Sequence, residues 1–351
     1  MSSPAMLLIP AETVASRVHK VLTGRQPADR LPMLEWAMWW SECTIARWHG
    51  EGLSKDLDKS GIKRHLGLDV DHQYWTHQEL PELHPAVHGA AMIGDSAHYE
   101  QHRSRLYRQD RPFLDTCSWQ GEAGDWRSWC AERDRGEAVC WLTVYGFFWW
   151  PRTLLGIEPH LYAFHDQPEL MHRINQDQAD FITRWLDEVC VHGTPDFVTI
   201  AEDMSYNNGP MLSRRQFETF LAPYYRQVLP LFHQRGIAVI CDSDGDVSML
   251  APWLREVGFD GVLPLEHQAG CDINRLQAAL PDFSFVGHFD KMVMKQGEAA
   301  MRAEFDRLLP AMRAGRFIPS VDHQTPPDVS LEHYRIYVRL FREYAERAVR
   351  S

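Results

Sequence analysis

Short apolar runs alternate with longer amphipathic stretches over most of this 351-residue chain. Residues 137–146 (EAVCWLTVYG), 197–200, 237–240, 261–265, 283–286 and 317–319 are apolar, mostly β-branched or aromatic, and too short for stable helices. Residues 31–36 (LPMLEW) read as a first strand of the same kind. Between these runs lie helical patterns at 154–164, 168–190, 249–257, 273–280, 298–314 and 331–349, and another that Ser213 would cap, running to 232 with a kink at Pro223. Earlier helices are predicted at 11–23, where Val14, Val18 and Val21 share a face, at 38–52 and at 54–68. Strand–helix alternation predicts a parallel sheet. Seven strand candidates in a chain of this length favour a distorted (β/α)8 barrel, a TIM-type α/β fold, as one domain over 1–351. No GxGxxG follows the first strand, which argues against a dinucleotide-binding sheet. Residues 70–135 break the rhythm; they are predicted to be an inserted hairpin and loops that cover one end of the barrel.

Charge narrows the choice of partner. Thirty-six Lys and Arg against forty-eight Asp and Glu give a net charge of −12. A nucleic acid or an anionic membrane is therefore excluded as the main partner. No window of about 18 apolar residues exists. The first twenty residues carry no basic stretch ahead of an apolar core, so no signal peptide is read there. Seven scattered cysteines without a CxxC pair point to a reducing, cytoplasmic setting. The thirteen tryptophans cluster around 36–40 and 149–150, as an aromatic pocket or as core.

The strand ends carry the chemistry. They deliver Glu35, Glu202 with Asp203, Asp242 with Asp244, Glu266, Asp290, and Asp322 with His323. In a barrel these converge on one rim. Converging carboxylates must bind a cation, keep a proton or pair with a cation such as Arg152 or Lys291. In the run GIAVICDSDG, Asp242 and Asp244 are two apart and would point the same way in an extended chain. His323 adds the imidazole that Zn²⁺ and similar divalent metals favour. Asp242, Asp244 and His323 are thus the candidate metal ligands, and Glu202, Asp203, Glu266 and Asp290 the candidate catalytic acids. The competing reading is that each acid only caps the next helix. Cys241 points away from Asp242 and belongs to the core, and Cys271 is not expected to be a ligand. Glu35, Trp36, Trp39, Tyr145, Phe148, Trp149 and Asn207 are expected to shape a substrate pocket, although the aromatics could equally pack under the rim.

The segments AEDMSYNNGPMLSRRQFETFLAPYYRQV, CDSDGDVSMLAPWLREVGFDGVLPLEHQAGCDI, GHFDK and FIPSVDHQTPPDVSLEHY together resemble the uroporphyrinogen decarboxylase superfamily, over about residues 137–345. They are more similar to its methyltransferase-type members than to the haem-pathway decarboxylase. The resemblance implies a distorted TIM barrel with one cleft at the carboxyl rim. It also implies a position for a zinc motif, of the form His-x-Cys, where this chain has Asp242-Ser243-Asp244, with a second cysteine falling near Asp322–His323. The ligand type is shifted from thiolate to carboxylate and imidazole. The arginine-rich motif with which the haem-pathway enzyme holds its substrate is replaced by LEWAMWWSECTIARW. The resemblance thus implies a metal-assisted methyltransferase or demethylase acting on a small molecule, for which a corrinoid supplied by a partner protein is one option; a homodimer is one option for the assembly, and the sequence leaves both open. The alternatives are a cofactor-independent decarboxylase acting on another substrate, and a barrel that binds a small molecule or a corrinoid protein without turnover.

Overall fold

A computed structural model of the chain describes residues 12–36, 41–85, 87–108 and 125–350. Seven parallel strands form one curled sheet: β1 (Val70–Trp75), β2 (Ala138–Tyr145), β3 (Phe197–Ala201), β6 (Ala238–Asp242), β7 (Gly261–Leu263), β8 (Ser284–Val286) and β9 (Phe317–Ile318), adjacent in that order. Two further short strands, β4 (Ser205–Tyr206) and β5 (Gly209–Pro210), pair as a hairpin just beyond β3. Helices connect the parallel strands and cover the outer face, which is why the strands are buried on both sides and read as apolar runs. The inner face is filled. Trp141, Phe197, Ile240, Leu263, Val286 and Ile318 come from six strands and meet Leu34, Val18 and Leu22 around a residual cavity of about 10 Å³. The fold is a distorted TIM barrel with a packed interior.

The sheet does not close by strand pairing, and here the sequence reading needs correction. Residues 31–36 are buried and extended but form no strand. They span the gap between the edge strands. The Asp69 N–H, just before β1, donates to the Met33 carbonyl at 3.1 Å, and the Trp36 indole donates to the Val321 carbonyl, just after β9, at 2.8 Å. Pro32 lacks an N–H, so a full ladder cannot form there. The Asp69 carboxylate substitutes for part of it, accepting from the Met33 N–H at 2.8 Å while gripped by Arg30.

The predicted insertion at 70–135 is also corrected. Its first six residues are β1, and the described remainder holds helices Ser96–Leu106 and Trp126–Asp134 and no hairpin. β1 escaped notice because VDHQYW carries three polar residues. Each is buried and partnered: Asp71 by Lys63, His72 by Glu132, Gln73 by Thr143. Residues 109–124 lie outside the described residues. Residues 77–85 and 87–93 fold over the rim, tied down by the Met92 and Ile93 N–H groups on the Leu154 carbonyl and the Ile157 N–H on the Gly89 carbonyl. Ser213 caps its helix with Gln216 in a reciprocal capping box. The expected kink is a π-helical turn at Phe217–Leu221, ahead of Pro223.

Candidate active site

Strand register decides which acids meet. Ala201 is level with Asp242, and Asp242 with Leu263. The residues that follow β3, β6 and β7 therefore emerge side by side. After Asp242 the chain turns sharply through Ser243, whose N–H donates to the Leu263 carbonyl and whose hydroxyl accepts from the Met204 N–H. Gly245 completes the turn at φ +82°, where a Cβ would lie 2.8 Å from the Ser205 and Tyr206 backbone. Its N–H donates to Glu266 at 2.9 Å.

This turn groups Asp244 with Glu266 and His323. One ligand atom from each lies within 4.8 Å of the others. His323 Nε2 is 3.6 Å from Asp244 Oδ2, and its ring meets the edge of Trp36 with centroids 6.4 Å apart. Burial opposes charge on His323, but the carboxylates of Asp244 and Glu266 overcome it and raise its pKa. An imidazole and two carboxylates are a suitable donor set for Zn²⁺ or another borderline divalent metal. The metal set expected from sequence was different: Asp242 is not in the group and Glu266 is. Strand alternation held only as far as Asp242, and the turn after it reset the direction. Asp242 is buried; its pKa is driven well up by desolvation and by the neighbouring Asp203 and Asp244.

Asp203 connects this group to a cleft. It sits at φ +39°, a conformation rare for a non-glycine residue. Its Oδ1 lies 3.5 Å from the Asp244 N–H, and its Oδ2 lies 3.5 Å from Arg152. Burial raises its pKa to about 7, with the Asp244 charge adding and Arg152 opposing. Beyond Arg152 opens a cleft of about 410 Å³, walled on one side by Trp149, Arg152 and Asp203 and on the other by Glu79, His84, His88 and Met92. Its second wall comes from residues 77–93. Tyr145 stacks on Trp149 and donates its hydroxyl to Glu79.

Several expected site residues lie elsewhere. Glu202 is fully buried and accepts from the Phe147, Phe148 and Trp149 N–H groups at 2.8, 2.7 and 3.0 Å, and from the Tyr225 hydroxyl. It caps the helix Trp149–Leu155, and desolvation raises its pKa to about 7 against these bonds. Phe148 is buried edge-on to His160, in the core. Asp290 caps the turn Lys291–Gln296 and accepts from Gln268. Asn207 is exposed at the tip of the β4–β5 hairpin. Trp39 lies outside the described residues. Asp322 is buried and held by Lys291 at 3.1 Å and by the His267 N–H. Arg152 and the residues of 77–93 were not foreseen as cleft walls, since nothing local in the sequence shows that this segment folds back over Trp149.

Glu35 is buried, with Tyr334 donating to one oxygen at 3.2 Å and the Tyr337 hydroxyl also facing the carboxyl. Burial raises its pKa to about 8. The folded state therefore keeps the proton that the unfolded chain releases near 4.5, so Glu35 contributes stability below that pH and loses it as pH rises to about 8. Glu35→Gln should abolish this loss. Denaturation of wild type and variant between pH 5 and 8.5 should show the gap widening in favour of the variant by a few kcal/mol, at about 1.4 kcal/mol per pKa unit; parallel profiles would refute it.

One solved structure agrees with this architecture. A methyltransferase from Methanosarcina mazei superposes with a TM-score of 0.61 at 14% identity, covering 95% of this chain and 99% of that one. A B12-independent methionine synthase from a Shewanella species is a more distant likeness, with a TM-score of 0.41 at 10% identity over 66% of this chain and 68% of that one. No curated protein sequence matches the chain. No helix among the described residues is long and apolar enough to cross a membrane. The family model described as uroporphyrinogen decarboxylase (URO-D) matches residues 154–344, from the helix after the Glu202-capped turn through the His323 loop to the last helix. With more than half of its length matched, and the acids of β3, β6 and β7 gathered on the rim of a TIM barrel, the chain belongs to the uroporphyrinogen decarboxylase family.

Proposed function

We propose that the protein is a methyltransferase or demethylase-type enzyme in which a divalent metal, Zn²⁺ or similar, assists methyl transfer to or from a small molecule. The observation that carries this reading is the grouping of Asp244, Glu266 and His323 beside the cleft. These three residues would hold the metal, which supplies Lewis-acid chemistry when bound. Asp203 faces both the group and the cleft. With its pKa raised to about 7 it can hold or release a proton near the reacting atoms at neutral pH. Trp149, stacked with Tyr145, gives the cleft an aromatic wall. A corrinoid held by a partner protein is the natural second methyl carrier, and exposed Tyr206 and Met249 beside the Asp244 turn offer an apolar contact for that partner. The second reading, a decarboxylase without cofactor, is favoured by Asp203 and Arg152 lying side by side at 3.5 Å.

Metal binding separates the two. Titration calorimetry with Zn²⁺ should give one site. His323→Ala and Glu266→Gln should each weaken it by more than about 100-fold, the upper end of the loss from removing a mere supporting partner of a ligand. Asp242→Asn should change it by less than about 10-fold, the lower end of that range. No binding, or equal losses from Asp242 and His323, would remove the metal from the reading.

A further inference from the structure

Arg152 is held differently from Arg30 and Arg103. Arg30 grips Asp69 with both nitrogens at 2.7 and 2.5 Å, and Arg103 grips Asp177 at 2.6 and 2.6 Å. Those are closed, two-pronged pairs. Arg152 has one carboxylate partner among the described residues, Asp203, at 3.5 Å, outside the range of a strong charge-assisted bond. Its guanidinium is instead fixed by non-acidic contacts. It lies 4.2 Å from the Trp149 ring centroid, and its Nη1 donates to the Asp203 carbonyl at 3.1 Å. Trp149 is in turn stacked with Tyr145. The result is a rigid, pre-oriented fork on the wall of a 410 Å³ cleft, with donors left over.

We propose that Arg152 anchors the carboxylate of the substrate, a small monocarboxylic acid with an apolar body. A planar, singly charged carboxylate matches the fork in shape. A phosphate dianion fits less well, because Asp203 and Glu79 share the cleft and would repel it. Met92, Ile157 and Pro85 supply apolar lining for the rest of the molecule. Asp203 touches both Arg152 and the Asp244 turn, so the anchored carboxylate end is the end nearest Asp244, while the apolar body lies along the cleft wall. This inference rests on the methyl-transfer reading only in taking the acid bound here as the substrate of that reaction.

The test uses the full chain, treated with chelator so that no metal offers a second carboxylate site. Benzoate and butanoate are titrated against benzamide and butanamide, their uncharged counterparts. Wild type should prefer each acid at least tenfold. Arg152→Gln should erase the preference. Arg152→Lys, which keeps the charge but not the fork, should retain only part of it. Equal binding of acid and amide, an undiminished preference in Arg152→Gln, or no saturable binding of any acid would each overturn the proposal. The acid-over-amide comparison in wild type stands even if a variant fails to fold. Zinc titration of the same preparation keeps the two readings apart. Zinc binding without acid binding rejects the anchor alone, whereas acid binding without zinc binding rejects the metal alone.

Discussion

Gly146→Ala should destabilise the protein by about 4 kcal/mol or more, and chemical denaturation will measure it. An added Cβ at this position would lie 1.8 Å from Glu202 Oε1 and 2.6 Å from Ile200 Cγ2. Neither neighbour can yield. Ile200 is locked in β3, and the carboxylate is fixed by three N–H groups and the Tyr225 hydroxyl. To admit the methyl group, Glu202 must leave its partners, which strands buried donors at a cost of about 1–3 kcal/mol each. The turn it caps carries Trp149, and the helix from that turn carries Arg152, so the cleft should loosen along with the fold. The mechanism is specific enough for a double-mutant cycle. In a Glu202→Ala background the same glycine substitution should cost less, because the obstructing carboxylate is gone and only the Ile200 contact remains. A loss below about 1 kcal/mol in the wild-type background, the size of an ordinary point mutation, would show that the turn is not fixed by Glu202.

Lys63→Ala should cost about 3–5 kcal/mol, the usual penalty for removing one partner of a buried ion pair. Lys63 and Asp71 are both fully buried, and the ammonium donates to the Asp71 carboxylate and carbonyl at 2.7 Å each. Removing the ammonium leaves a carboxylate inside the protein beside the Trp141 indole. Lys63→Met combined with Asp71→Asn should recover more than half of the loss, since the amide keeps an acceptor for Trp141 and removes the charge. Equal losses in the single and double variants would show that the packing of Lys63, not its charge, matters. The pair fastens the helix Lys59–Leu66 to β1, so the damage should concentrate at that edge of the sheet.

These two sites also show what a sequence exposes and what it conceals. The main-sheet strands β2, β3, β6, β7, β8 and β9 were legible, because each is a short apolar run buried on both faces. β1 was concealed by the same polar residues that make Lys63 and Asp71 important: a strand satisfied by partners far along the chain does not look apolar. Asp203, Asp244, Glu266 and His323 were legible as strand-end residues that a barrel must gather on one rim. Their grouping was not. Choosing Glu266 over Asp242 depends on the turn at Gly245, whose geometry is set by backbone contact with Tyr206. The role of Glu202 was ambiguous, since capping and catalysis call for the same residue type. The cleft was the least accessible feature, because half of it is built by a loop with no periodic pattern.

The closing segment at 31–36 has a consequence for the order of assembly. It touches the chain's other end at three places: the Leu31 N–H meets the Ala345 carbonyl, Tyr334 donates to Glu35, and Trp36 donates to Val321 beside His323. A nascent chain can pair β1 with β2, and β2 with β3, as each emerges. It cannot seat Trp36 against Val321 and His323 until the loop after β9 has been made, nor complete the Leu31 and Glu35 contacts until the helix Leu331–Val349 follows. Contacts between residues so far apart in sequence form slowly, because a long loop must close first. A chain made only as far as β8 thus carries its acids on an open sheet, and the three-residue group takes shape only once the loop after β9 has delivered His323. Any metal affinity of that group would therefore report a sheet assembled through β9.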